Sequence, residues 1–113
     1  MTQCVEIRSY NLKPGTRADF DRLAREQAVP MLLRWGVDVV AYGASPHDAD
    51  SYYLIRAYTD LPERARSQDA FYGSAEWREG PREPIVALID SYTSTVLVLD
   101  EATLAGLRLT RPA

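Results

Sequence analysis

The order in which period-two stretches and amphipathic helical stretches follow one another constrains this chain more than any single motif. From Cys4 to Tyr10 the residues alternate, with Val5, Ile7 and Ser9 on one side and Cys4, Glu6, Arg8 and Tyr10 on the other. Leu12-Lys13-Pro14-Gly15 then reads as a turn. Thr16 stands where an N-cap belongs, with Asp19 at the capping-box position. Phe20, Leu23, Ala24, Ala28, Met31, Leu32 and Trp35 recur at helical spacing, and Arg17, Asp21, Arg22, Arg25 and Glu26 take the other face. Pro30 predicts a kink, because its ring clashes with the carbonyl of Glu26, and Gly36 predicts the stop.

Two further strands are predicted over 37–44 and 51–59, joined by a polar turn through His47. Asp60 caps a second helical region, with Pro62 in its first turn and Glu63 at the capping-box position. Gly73 and Gly80-Pro81 interrupt that region before a last strand over 91–99. The order βαββαβ predicts an α+β, ferredoxin-like domain over 1–99. Its antiparallel four-stranded sheet would have the first and third strands at the centre and helices on one face. The other face needs a cover, and a second copy of the chain is the simplest one, so a homodimer is expected. Residues 100–113 read as a tail that docks through Leu104, Leu107 and Leu109.

The composition removes several function classes. A chain of 113 residues fits one domain, and its net charge of −3 carries no basic stripe for nucleic acid. Lys13 is the only lysine beside twelve arginines, a skew that points to a GC-rich bacterial genome. Cys4 is the single cysteine, so no internal disulfide and no Cys/His metal spacing exist. No signal-like or membrane-length apolar run is present, and a cytoplasmic protein with no membrane partner is expected. The P-loop, G-x-G-x-x-G, H-E-x-x-H and G-x-S-x-G motifs are all missing. No cofactor is therefore expected.

The opening Glu6-Ile7-Arg8-Ser9-Tyr10-Asn11-Leu12-Lys13-Pro14-Gly15 resembles the E-x-R-x-Y-x-L-K-P-G start of NIPSNAP-family domains. Leu54-x-Arg56-x-Tyr58, Asp60-Leu61 with Arg64 close behind, and Ser74-Ala75-Glu76-Trp77 agree with it, so the likeness spans roughly residues 3 to 99. The resemblance implies a dimeric α/β barrel, in which two ferredoxin-like sheets pack face to face. Proteins of that wider fold include cofactor-free monooxygenases, polyketide cyclases, isomerases and haem-handling proteins. Fold alone does not choose among them.

Three groups of residues are candidates for chemistry. Arg8 with Tyr10 and Arg56 with Tyr58 form two R-x-Y pairs, whose guanidiniums can grip a carboxylate or enolate while a phenol donates a proton. The competing reading is structural: Glu6 shares their face, and a buried Arg–Glu network between two sheets would fix a dimer register. His47 is the only histidine and the natural base near neutral pH, although a turn histidine is ordinarily just solvated. Tyr42, Phe71, Tyr72 and Trp77, from an aromatic-rich set, are candidates to line an apolar substrate pocket between helices and sheet; core packing is the alternative.

Two functions follow. One is a cofactor-independent enzyme of cyclase, isomerase or monooxygenase type, acting on a small organic substrate in a bacterial biosynthetic pathway. The other is a non-catalytic dimer that binds a ligand or a protein. An enzyme requires an open pocket of roughly 300 Å³ or more that holds an Arg or His beside a tyrosine. Arginines that are paired and sealed favour the second reading.

Overall fold

Residues 1–108 are described by a computed structural model. Leu109, part of the expected tail docking, lies outside the described residues. Strands β1 (Thr2–Leu12), β2 (Asp38–Ala44), β3 (Ser51–Tyr58) and β4 (Ile89–Asp100) form one antiparallel sheet in the order β2-β3-β1-β4. The first and third strands are central, as the split-βαβ pattern requires. Helices α1 (Arg17–Leu23) and α2 (Val29–Arg34) cross between β1 and β2, and α3 (Leu61–Tyr72), α4 (Ala75–Glu79) and α5 (Arg82–Val86) between β3 and β4. Helix α6 (Glu101–Leu107) follows β4. No helix among the described residues is long and apolar enough to cross a membrane.

Register decides which side chains meet. Glu6 lies opposite Arg56 on β3 and Val96 on β4, and Arg8 opposite Leu54 and Ser94. Alternation then puts Cys4, Glu6, Arg8, Tyr10 and Leu12 on the helix-covered face, and Val5, Ile7 and Ser9 on the other. In β2 the register slips between Val39 and Ala41. Val40 is the inserted residue of this bulge and joins Val5 and Ile55 on the outer face, while Val39 and Tyr42 pack inward.

The first crossover refines the sequence reading at Thr16 and Pro30 and follows it at Gly36. Thr16 holds the N-cap position, but its hydroxyl donates to the Lys13 carbonyl (2.7 Å) and caps nothing in the helix. The irregularity expected at Pro30 takes the form of a π turn just before it. The backbone widens into a π turn over Ala24–Ala28, where the Val29 N–H reaches back five residues to the Ala24 carbonyl. Pro30 then falls in the first turn of α2, where its missing N–H costs least. Gly36 ends α2 at φ +77°, a conformation open to glycine. Its N–H bonds the Leu33 carbonyl and the Val37 N–H bonds that of Leu32, both at 3.0 Å, which closes a Schellman motif.

The helix-covered face divides in two. Under α1, the π turn and α2, Phe20, Met31 and Leu32 pack on Tyr10, Tyr52 and Leu54. Each such burial stabilises by about 1.5–3 kcal/mol. Under α3 the interior is charged instead. The opposite face of the sheet is crossed at one end by α6, whose Leu104 is buried among Val5, Val40, Ile55 and Ala57. Asp100 caps it through the Thr103 N–H, and Arg108 forks onto both carboxylate oxygens of Asp38 at 2.8 and 2.7 Å.

Candidate functional site

Helix α3 carries few apolar residues, and Phe71 alone is buried. Arg64, Gln68 and Tyr72 recur every fourth position, so they form one polar stripe, and that stripe faces the sheet. Beneath it Glu6 is fully buried, accepts from two guanidiniums and an amide, and has a third guanidinium in ion-pair contact. Arg56 Nε (3.0 Å) bonds one carboxylate oxygen; Arg64 Nε (3.1 Å) and Gln68 Nε2 (3.1 Å) bond the other. Arg8 completes the set at 3.5 Å. Burial pushes the Glu6 carboxyl up, but Arg56, Gln68, Arg64 and Arg8 together outweigh it and hold the group at about 2. One carboxylate faces three arginines, so the cluster keeps a surplus of positive charge.

That surplus reaches solvent at Arg64 and at Arg8, and of the two it is Arg8 that lines a cleft. Arg56 is sealed, with no exposed surface, and its Nη1 donates to the Tyr72 hydroxyl at 2.8 Å. Arg8 is partly exposed and donates from Nη1 to the same hydroxyl (3.4 Å) and from Nε to Ser94 (3.1 Å). Its guanidinium also lies over the ring of Tyr92, 4.7 Å from the centroid. The Tyr72 oxygen thus accepts from two cations, which leaves its own proton free to donate.

Arg8, Tyr10, Tyr72 and Tyr92 line an open cleft of about 470 Å³ between β1, β4 and the helices α3 to α5. Trp77, Ile85, Val86 and Ile89 form its apolar wall, and Gln68, Asp69 and Arg82 are polar residues around it. The size and mixed lining suit a small organic molecule. Burial, and next the neighbouring Tyr72, push the Tyr10 phenol up to about 12 against the opposing pull of Arg8, so it stays protonated near neutral pH. Behind the cleft lies a smaller, narrower apolar void of about 40 Å³. Among the described residues no group of three His, Cys, Asp or Glu side chains is placed to hold a metal.

The candidates from sequence fall into separate places. Arg8, Tyr10, Tyr72 and Trp77 meet at the cleft, and Arg56 supports Tyr72 from below. Tyr58 lies opposite Cys4 and Tyr10 opposite Tyr52, so the two R-x-Y phenols sit toward opposite ends of the strands and do not gather. Burial pushes the Tyr58 phenol up, and its oxygen accepts from Gln68. Tyr42 and Phe71 border the smaller void and not the cleft. His47 is exposed in the β2–β3 turn, bonded to Ser45 (2.8 Å) and Asp48 (3.1 Å), and does not line the cleft. The Arg–Glu network lies between the sheet and α3 of the same chain, not between two sheets. Gln68 and Arg82 are residues that the sequence reading passed over, and Arg64 was noted there only as part of the family pattern, not as a site residue. The four-residue spacing of Arg64, Gln68 and Tyr72 on a helix short of apolar residues was the signal for Arg64 and Gln68.

Comparison with known proteins agrees with this architecture. The NIPSNAP family model matches residues 5–102. A NIPSNAP family protein from Agrobacterium tumefaciens superposes with a TM-score of 0.81 at 17% identity, covering 91% of this chain and 90% of that one. An uncharacterized NIPSNAP domain protein from Burkholderia xenovorans gives 0.77 at 18% identity, over 87% and 95%. The "Putative antibiotic biosynthesis monooxygenase" of Bordetella bronchiseptica gives 0.65 at 24% identity, over 89% and 98%. No curated protein matches. These structural likenesses speak for the fold, and the match of the family model along nearly the whole chain means that it belongs to the NIPSNAP family.

Proposed function

We propose that this NIPSNAP-family chain is a homodimeric, cofactor-independent enzyme of cyclase, isomerase or monooxygenase type. Its cleft would take a small organic substrate of a bacterial biosynthetic pathway. The observation that carries the proposal is the surplus cation: three arginines share Glu6, and Arg8 offers the unspent charge to the cleft. Arg8 holds an anionic oxygen of the substrate, with Arg56 behind it. Tyr72 donates a hydrogen bond to the same oxygen as charge develops there, and Tyr10 remains a protonated donor beside it. Proton movement runs through these phenols rather than through His47, whose turn lies elsewhere. The likeness in fold to the Bordetella bronchiseptica protein named for antibiotic biosynthesis keeps oxygenation among the reactions.

A second copy would cover the outer sheet face beside α6, where Ile7, Tyr53 and Leu97 remain partly exposed. Sedimentation giving a mass near 25 kDa, twice the 12.7 kDa of one chain, is the expected result; a stable monomer sinks the dimer.

Crystals soaked with a panel of small aromatic and β-keto acids test the site. Density is expected against Arg8 and Tyr72, with binding lost in Arg8→Met. Mass spectrometry of the incubated panel separates catalysis from binding. A ligand that sits at Arg8 and is never converted supports the non-catalytic dimer, whose supporting observation is that Arg56 is fully paired and sealed. An empty cleft, or binding indifferent to Arg8→Met, overturns both the anchor and the enzyme.

A further inference from the structure

The narrow void behind the cleft has its own chemistry. It measures about 40 Å³, and no charged side chain borders it. Of its phenols, Tyr52 donates to Asp21 and Tyr72 accepts from Arg56. Among the described residues no buried side-chain polar atom is left without a partner. A water would need two to four polar partners there, so the space favours apolar occupants. Ala24 and Ala28, at the two ends of the π turn, leave it open. A larger residue at either position would fill it.

Its position is equally specific. Tyr10, Tyr72, Trp77 and Ile85 line both the void and the cleft, so a partition one side chain thick separates the two. Half of that partition is carried by α4 and α5, which are five residues long each. They meet at Gly80, where an added Cβ would lie 2.4 Å from the Glu76 carbonyl oxygen. Short helices make few backbone hydrogen bonds and open at low cost. From Arg8 the path inward therefore runs from a cation, past aromatic rings, to a small apolar end.

Resting on the reading of Arg8 as an anion anchor, we propose that the void is the far subsite of the cleft. It receives the apolar end of a carboxylate whose head is held at Arg8, and Ala24 and Ala28 set how long that end can be. The space admits about one or two carbon atoms, each roughly the size of the ~30 Å³ share of a water. Every methylene seated there should strengthen binding about fourfold.

Calorimetric titration with the straight-chain carboxylates from propanoate to decanoate tests this. In the unmodified protein, affinity should climb with length and then stop climbing once the void is full. Ala28→Leu should weaken the acids long enough to reach the void about tenfold and leave propanoate within about twofold. Arg8→Met should weaken every acid. If no acid binds, or Arg8→Met changes nothing, the anchor itself is wrong and this inference falls with it. If the acids bind through Arg8 but Ala28→Leu leaves the length dependence intact, the subsite is overturned and the anchor stands. Should Ala28→Leu not fold, Ala24→Val serves in its place. Xenon-pressurised crystals of the unmodified protein give an independent reading: one peak behind Tyr72 is expected, and none would close the proposal.

Discussion

The two halves of the helix-covered face hold together by different physics. Under α1 and α2, Phe20, Leu32, Tyr52 and Leu54 exclude water, and any residue of similar shape would do similar work. Under α3, Glu6 is surrounded by Arg56, Arg64, Arg8 and Gln68, and each partner is needed because a buried charge without one is costly. The apolar half is the tolerant, general part of the fold. The ionic half is specific and leaves a surplus of charge, and the open cleft lies beside it.

The contrast can be broken or sharpened by measurement, beginning with its largest expected effect. Glu6→Ala leaves sealed Arg56 without its carboxylate and should cost about 3–5 kcal/mol in urea denaturation. The double variant Glu6→Leu/Arg56→Met should recover much of that loss; if it does not, the network contributes more than charge balance. Leu32→Ala in the other half should cost about 3 kcal/mol, by loss of burial and by the cavity it leaves. This second loss should be the same at pH 4 and pH 7.

Acid distinguishes the halves directly. Glu6 titrates at about 2 in the folded chain against an ordinary 4.5. The unfolded chain therefore takes up the proton first, and the stabilisation by Glu6 is complete above pH 4.5 and lost as pH falls toward 2. The loss is on the order of 3 kcal/mol across that window. Glu6→Gln should flatten this part of the stability–pH curve, and an unchanged slope would mean that other carboxylates carry it. The smallest effect concerns the cap over the ionic half. Asp60 accepts from the Glu63 N–H at 2.8 Å, and Asp60→Ala should cost about 1 kcal/mol in thermal denaturation. A much larger cost would mean that α3 is held mainly by its N-terminus and not by Glu6.

The same division explains what could be read beforehand. Strand alternation in β1 and β3, and the spacing from Phe20 to Leu32, announced the sheet, its central strands and the first crossover, because burial writes a period into sequence. Helix α3 was legible as a helix through its Asp60 cap, and its Tyr72 as a pocket residue, but Arg64 and Gln68 were not read as part of the site: the inward stripe they form is polar, and hydrophobic period is blind to it. Pro30 marked where the first helix becomes irregular, but the π turn that the irregularity takes depends on packing and left no mark in the sequence. The bulge at Val40 left no turn residue to mark it. The R-x-Y pairs were visible as patterns, yet only antiparallel register separates Tyr58 from Tyr10.

Strand β1 carries one more consequence. Its inward side chains run from Glu6, sealed, to Arg8, at the cleft. That step of two residues spans about 7 Å of extended backbone in the centre of the sheet. The boundary between scaffold and site is therefore ruled along a single rigid strand, not drawn across a loop. Breathing of α4 or α5 can reshape the cleft without moving its positive pole relative to the fold. A one-residue insertion between Glu6 and Arg8 would turn the arginine to the opposite face and erase that pole outright. The cleft can accordingly vary freely in shape, but its polarity is inherited with the sheet.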